Sequence, residues 1–289
     1  MKKELLIAIS MAVVSVPASA QTTIFGDVKN TDGHHIEYVS LRVDSQYTIS
    51  DKDGNFVLRI PEGHRSDLVV SHLSYKTQTI PYAQYRSGSL HVRLEEKVQT
   101  IGDVTIAAPR AKIVKVGRQG MKMPGDAAFT TNPEDGGNHF YDYELGPVIK
   151  PGKNYLLRQF SLHIDKCTYQ SCVLRLTAYE VCGGNIAPVQ HRPIYIHCGK
   201  DHQNTDYTQR FLDNIVFKKG HTYYIGIALV SAEGAGSISF PACLHRGYAH
   251  KLDTGRIKKL PASLALNLSG IVVKEQALPG RSDRVPNSR

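Results

Sequence analysis

Short runs in which apolar and polar residues alternate recur along most of the chain, punctuated by Gly, Asn, Asp and Pro. Phe56, Leu58 and Ile60 alternate with Val57 and Arg59. Leu156, Arg158, Phe160, Leu162 and Ile164 oppose Gln159, Ser161, His163 and Asp165. Successive strand side chains point to opposite faces, so this period of two predicts half-buried β-strands. Residues 173–181, 192–197, 215–217 and 223–230 read the same way, and no stretch beyond residue 20 carries a 3.6-residue apolar stripe. The predicted class is all-β, in two β-sandwich domains.

The reversals between runs carry the most specific information. In Ser50-Asp51-Lys52-Asp53-Gly54-Asn55-Phe56, Gly54 accepts a positive φ without steric cost, and Asp51 and Asp53 can hydrogen-bond nearby backbone. Ile24-Phe25-Gly26-Asp27-Val28 opens the region, Asp32-Gly33 offers a hairpin turn, residues 68–71 lead to Leu73-Ser74-Tyr75, and residues 90–94 and 104–106 close it. Together, over residues 24–106, these resemble the carboxypeptidase regulatory-like domain. The resemblance implies a small transthyretin-like (prealbumin-like) sandwich of the kind common in Gram-negative envelope proteins, including the N-terminal extensions of TonB-linked receptors. It implies a fold and no reaction.

Further along, residues 160–164 and 174–179, then Asn185 and Pro193-Ile194-Tyr195-Ile196, resemble the strand series of uncharacterised exported proteins that follows such a domain, with Arg175 and Tyr179 conspicuous. A jelly-roll-like sandwich is expected over 139–273. Ala107-Ala108-Pro109-Arg110 breaks the pattern, so residues 107–138 are expected to be a linker and loop-like lead-in, and the Pro-containing stretch 274–289 a disordered tail.

Residues 1–20 have a Lys2-Lys3 head, a short apolar run and Ala18-Ser19-Ala20, the three parts of a secretory signal. The expected mature chain begins at Gln21, carries no membrane span and is periplasmic, cell-surface or secreted. The five cysteines, Cys167, Cys172, Cys182, Cys198 and Cys243, then meet an oxidising compartment; spacing leaves their pairing open, and five is odd. Residues 21–106 carry 9 Lys/Arg against 11 Asp/Glu, a net of −2, whereas residues 107–289 carry 24 against 14, a net of +10. A basic surplus favours anionic partners, and the chain has no nucleic-acid reading motif.

Candidate chemistry is sparse. His34-His35-Ile36-Glu37 spells a short zinc pattern at a turn, without the large α/β domain a metallocarboxypeptidase centre needs. Asp51-Lys52-Asp53-Gly54 opens like a calcium loop but runs into a strand, so a β-turn is the better reading. His191, His197, Cys198, His202, Cys243, His245 and His250 match no compact zinc spacing, and no cofactor is expected. There is no Gly-x-Ser-x-Gly elbow and no phosphate loop. Tyr141, Tyr143, Tyr195, Tyr207, Tyr223 and Tyr224 could form a sugar-stacking platform, with Lys218, Lys219, Arg256, Lys258 and Lys259 a cationic surround. The expected function is a non-catalytic envelope module that binds a glycan, an anionic envelope component or another envelope protein. The alternative is a hydrolase with its site on loops of the second domain. An exposed Tyr patch ringed by Lys and Arg would favour the binder; a cleft with a His beside a Cys or carboxylate would favour the enzyme.

Overall fold

A computed structural model describes residues 21–97, 112–117, 120–131 and 143–273. The signal-like segment, the 104–106 run, Pro109, Tyr141 and the 274–289 tail lie outside these residues. The fold is all-β, with 64% strand and 2% helix, as the alternating runs imply.

The first unit comprises β1 (Gln21–Asn30), β2 (Ser40–Val43), β3 (Gln46–Ile49), β4 (Asn55–Pro61), β5 (Leu68–His72), β6 (Tyr75–Ile80), the single turn α1 (Tyr82–Tyr85) and β7 (Ser89–Leu94). They form a three-stranded sheet, β4-β1-β7, and a four-stranded sheet, β3-β2-β5-β6. Phe56, Leu58 and Ile60 join Ile24, Leu41 and Leu68 in one core drawn from both sheets. In the 50–56 reversal Asp51 and Gly54 play the expected parts, whereas the Asp53 carboxylate accepts from Lys52 Nζ at 2.7 Å rather than from backbone. Asp51 Oδ1 accepts the Asp53 and Asn55 amides at 2.9 and 2.8 Å, and Gly54 takes φ +75°. A Cβ on Gly54 would lie 2.7 Å from the Val28 carbonyl oxygen, so space as well as conformation demands glycine there.

The described residues of the second unit form sixteen strands. β8 (Ile113–Val116), β9 (Met121–Thr131), β10 (Tyr143–Ile149), β11 (Tyr155–Ile164), β12 (Lys166–Cys167), β13 (Ser171–Cys182), β14 (Asn185–Pro188) and β15 (Ile194–Gly199) come first. They are followed by β16 (Thr205–Arg210), β17 (Val216–Phe217), β18 (Tyr223–Ala232), β19 (Gly236–Leu244), β20 (Gly247–Lys251), β21 (Ile257–Leu260), β22 (Ser263–Leu264) and β23 (Leu266–Val272). The seven-stranded sheet runs β14-β13-β18-β10-β20-β21 with β15 also on β13; the others run β16-β11-β23-β8 with β17 on β11, and β12-β19-β22 with β9 on β19. Leu174 and Ile227, Phe160 and Leu268, and Ile238 and Phe240 bring all three sheets into one core.

Two expectations are corrected. The lead-in read as loop between 107 and 138 contains β8 and β9, paired to β23 and β19. β9 is mostly exposed, contains Pro124 and Gly125 and is opposed by a register shift between Pro241 and Cys243. It is held by ladder hydrogen bonds rather than an apolar stripe, which is how edge strands tolerate such residues. Arg158 does not join the apolar face of β11. A register shift between Leu157 and Gln159 breaks the alternation there, and Leu156 and Leu157 are both buried.

The seven-stranded sheet packs one face on the core of its own unit. Against the other lies the first unit: Tyr38 clusters with Val173, Ala228 and Val230, with Ile49, Tyr195 and Leu252 packed beside them. Covered on both faces, Tyr223–Val230 is buried continuously rather than in alternation.

Candidate functional site

A row of polar residues crosses the face of the seven-stranded sheet that the first unit covers. The registers Tyr195↔Arg175, Arg175↔Ala228, Glu144↔Ala228 and Glu144↔His250 place these residues at one level across β15, β13, β18, β10 and β20. Ala228 is short enough for its neighbours to meet over it: Arg175 Nη2 donates to Glu144 Oε1 at 3.4 Å. Glu144 Oε2 accepts the Tyr179 hydroxyl at 2.7 Å and pairs with His250 Nδ1 at 3.0 Å. Gly226 provides the remaining space, since a Cβ there would stand 3.0 Å from Glu144 Oε2 and 3.1 Å from the Tyr224 hydroxyl.

Glu144 is 0% exposed. Burial alone disfavours its charged form, but the His250 hydrogen bond, the Arg175 charge and the Tyr179 hydroxyl outweigh that and hold the carboxyl below the usual value. A fully buried carboxylate with three partners is thereby kept ionised.

Above this row, between the two units, lies a cavity of about 330 Å³. The first unit contributes Arg42, Tyr47, His72 and Lys97 to its walls, and the second Arg175 and His250. Among the described residues none of those lining it is a carboxylate, because Glu144 sits beneath the floor. Arg42 Nη1 donates to the Asp253 carbonyl at 2.6 Å, tying the units together. Lys97 Nζ donates to the Leu73 carbonyl at 3.0 Å, and burial lowers its pKa. Burial, followed by the charges of Arg175 and Lys97, pushes His72 down to about 3, so this imidazole is neutral at pH 7. Arg175 Nε is buried with no hydrogen-bond partner among the described residues. A groove of about 800 Å³ continues from the cavity past His72 and Lys97 to Tyr195, Arg192 and Asp213. Ser74 Oγ donates to the His191 carbonyl at 3.0 Å across its wall, and the Tyr38 and Tyr195 rings meet edge to face at 4.7 Å.

Among the described tyrosines the platform does not assemble. Tyr223 and Tyr224 are buried, stacked on Phe217 and Tyr179 respectively. Tyr207 packs by Phe160 and donates its hydroxyl to Gln209, and Tyr143 is 39% exposed on β10 away from the others. Among the described candidates only Tyr195 reaches the groove. Lys218 and Lys219 are exposed after β17, where the Lys219 amide donates to Asn154, whereas Lys258 and Lys259 are exposed on edge strand β21. Neither pair reaches the cavity. Arg175 and Tyr179, conspicuous in the sequence, are at the floor with His250, which the sequence offers only as one of several scattered histidines; Glu144, Arg42, Tyr47, His72 and Lys97 carry no motif in the sequence. The signal for Glu144 and Arg175 was present, since a lone acid and a lone base in apolar strands must find partners when buried.

No protein-family model matches the sequence, and no curated protein matches it. Among solved structures, the chain is similar to that of infectious bursal disease virus Gx strain, at 10% identity and TM-score 0.23, covering 88% of this chain and 65% of that one. The structure of the Gt strain of the same virus gives 11% identity, TM-score 0.23 and the same coverages. The chain thus spans about 65% of the length of these neighbours.

Proposed function

We propose that the protein is an exported binding module whose cleft between two β-sandwich units takes an anionic ligand, specifically an acidic glycan of the cell envelope. The observation that carries this reading is the lining of the cavity, where Arg42, Lys97 and Arg175 converge with no carboxylate among the described lining residues. Cations held in a low-dielectric recess attract an anion more strongly than the same charges on an open surface. The Tyr47 ring adds an apolar face to these cations, the usual equipment for holding a sugar acid. The paired three- and four-stranded sheets of residues 21–97 support a transthyretin-like, regulatory-like first unit; the three-sheet core of the second supports a jelly-roll-like arrangement. No helix among the described residues is long and apolar enough to cross a membrane.

Isothermal titration with a uronic-acid oligosaccharide and its neutral counterpart tests the reading. The acidic ligand should bind at 50 mM salt and weaken about tenfold or more at 500 mM, while the neutral one binds poorly. Equal affinity for both, insensitive to salt, would contradict it.

A second reading rests on His250, whose Nδ1 is held by the Glu144 carboxylate at 3.0 Å in the cleft wall. A carboxylate that orients an imidazole is the arrangement of a general base, so a hydrolase that activates water with His250 is the competing function. Turnover of an acidic oligosaccharide, abolished in His250→Asn while binding persists, would establish it over simple binding.

A further inference from the structure

Three of the five cysteines meet in the core of the second unit. Cys172 on β13 and Cys198 on β15 are directly opposed in an antiparallel register, and Cys167 Sγ lies 3.9 Å from Cys172 Sγ. All three are buried, whereas Cys182 is exposed and Cys243 contacts Ser263 elsewhere. Directly opposed antiparallel residues have Cα atoms about 4.5–5.5 Å apart, inside the roughly 4.4–6.8 Å that a disulfide spans. The register therefore places Cys172 and Cys198 within disulfide reach of each other.

We propose that Cys172 and Cys198 form a disulfide that staples β15 to β13, with Cys167 as the alternative partner of Cys172. Because both thiols are buried in the native fold, the bond closes while the strands are still accessible during folding. The oxidant is a small-molecule or protein disulfide. The Cys172 thiolate attacks one of its sulfurs and expels the other as a thiolate. The Cys198 thiolate then attacks Cys172 Sγ in the mixed disulfide and expels the second. Two protein thiols lose two protons and two electrons, and the oxidant's S–S bond becomes two thiols. The staple fixes the strand whose opposite face carries Tyr195 into the groove. Its chemistry is independent of what the cleft binds.

The full chain carrying Cys182→Ser, refolded in oxidised and reduced glutathione, tests the bond. Free thiols are blocked with N-ethylmaleimide in denaturant and counted by intact mass, and the bridge is mapped by peptide fragmentation. Four cysteines remain in this parent, so two free thiols and a Cys172–Cys198 bridge are expected. Adding Cys198→Ser should shift the bridge to Cys167–Cys172, leaving one free thiol; adding Cys172→Ser should leave all three free. Reduction should lower the Tm of the parent by about 6 °C or more and leave that of the Cys172→Ser form unchanged. Four free thiols in the parent, a bridge to Cys243, or a Cys167–Cys198 bridge once Cys172 is replaced would overturn the assignment.

Discussion

Two residues show how narrowly local chemistry is set. Gly54 combines φ +75° with a Cβ position 2.7 Å from the Val28 carbonyl oxygen. Gly54→Val should therefore destabilise the chain by about 1–3 kcal/mol, read as a lower denaturation midpoint; an unchanged midpoint would show that the turn tolerates a side chain. His72 acts through pH. Its folded pKa is lowered from 6.5 to about 3, first by burial and then by Arg175 and Lys97. Above pH 6.5 it is neutral in both states; below, the unfolded chain binds the extra proton. Its contribution is thus complete above pH 6.5 and declines as pH falls toward 3, by at most about 1.4 kcal/mol per pH unit. Tm measured from pH 7 to 5 should fall in the wild type and fall less in His72→Gln. The Asp51–Gly54 turn was readable because its determinants are contiguous. The environment of His72 was not, because Arg175 is a hundred residues away in sequence and meets it only across the units.

Among the elements, β18 is the central support. It pairs with β13 and β10, and its residues 226 and 228 lie under the polar row. Gly226→Ala should cost about 1–3 kcal/mol by crowding Glu144 and the Tyr224 hydroxyl. In a double-mutant cycle the cost of Gly226→Ala should shrink when Glu144 is already Ala; additive effects would mean that the two do not share this space. Strands with apolar content, such as β4, β11 and β18, were legible as strands from their pattern. What alternation could not reveal was that β18 is covered on both faces, because the covering unit comes from another part of the chain. β9 escaped detection for the opposite reason: it buries little, and its pairing with β19 supplies what its sequence does not advertise.

Across the whole molecule, summing charge by sequence segment assigned the cationic surplus to the second half, yet the cleft takes Arg42 and Lys97 from the slightly acidic first unit. Net charge describes the long-range field; the placement of a few side chains at an interface decides where an anion can rest. The all-β class was legible, while the site, formed only when two units meet, was distributed over residues from 40 to 252. Anion binding in the cleft is tested by comparing two charge-removal pairs in titrations with a uronic-acid oligosaccharide at low salt. Arg42→Gln with Lys97→Gln removes cleft charges, and Lys258→Gln with Lys259→Gln removes the same number from exposed strand β21. The cleft pair should weaken binding about 30-fold or more, roughly 2 kcal/mol, while the surface pair changes it less than about threefold. Equal losses from the two pairs, or none from the cleft pair, would contradict it.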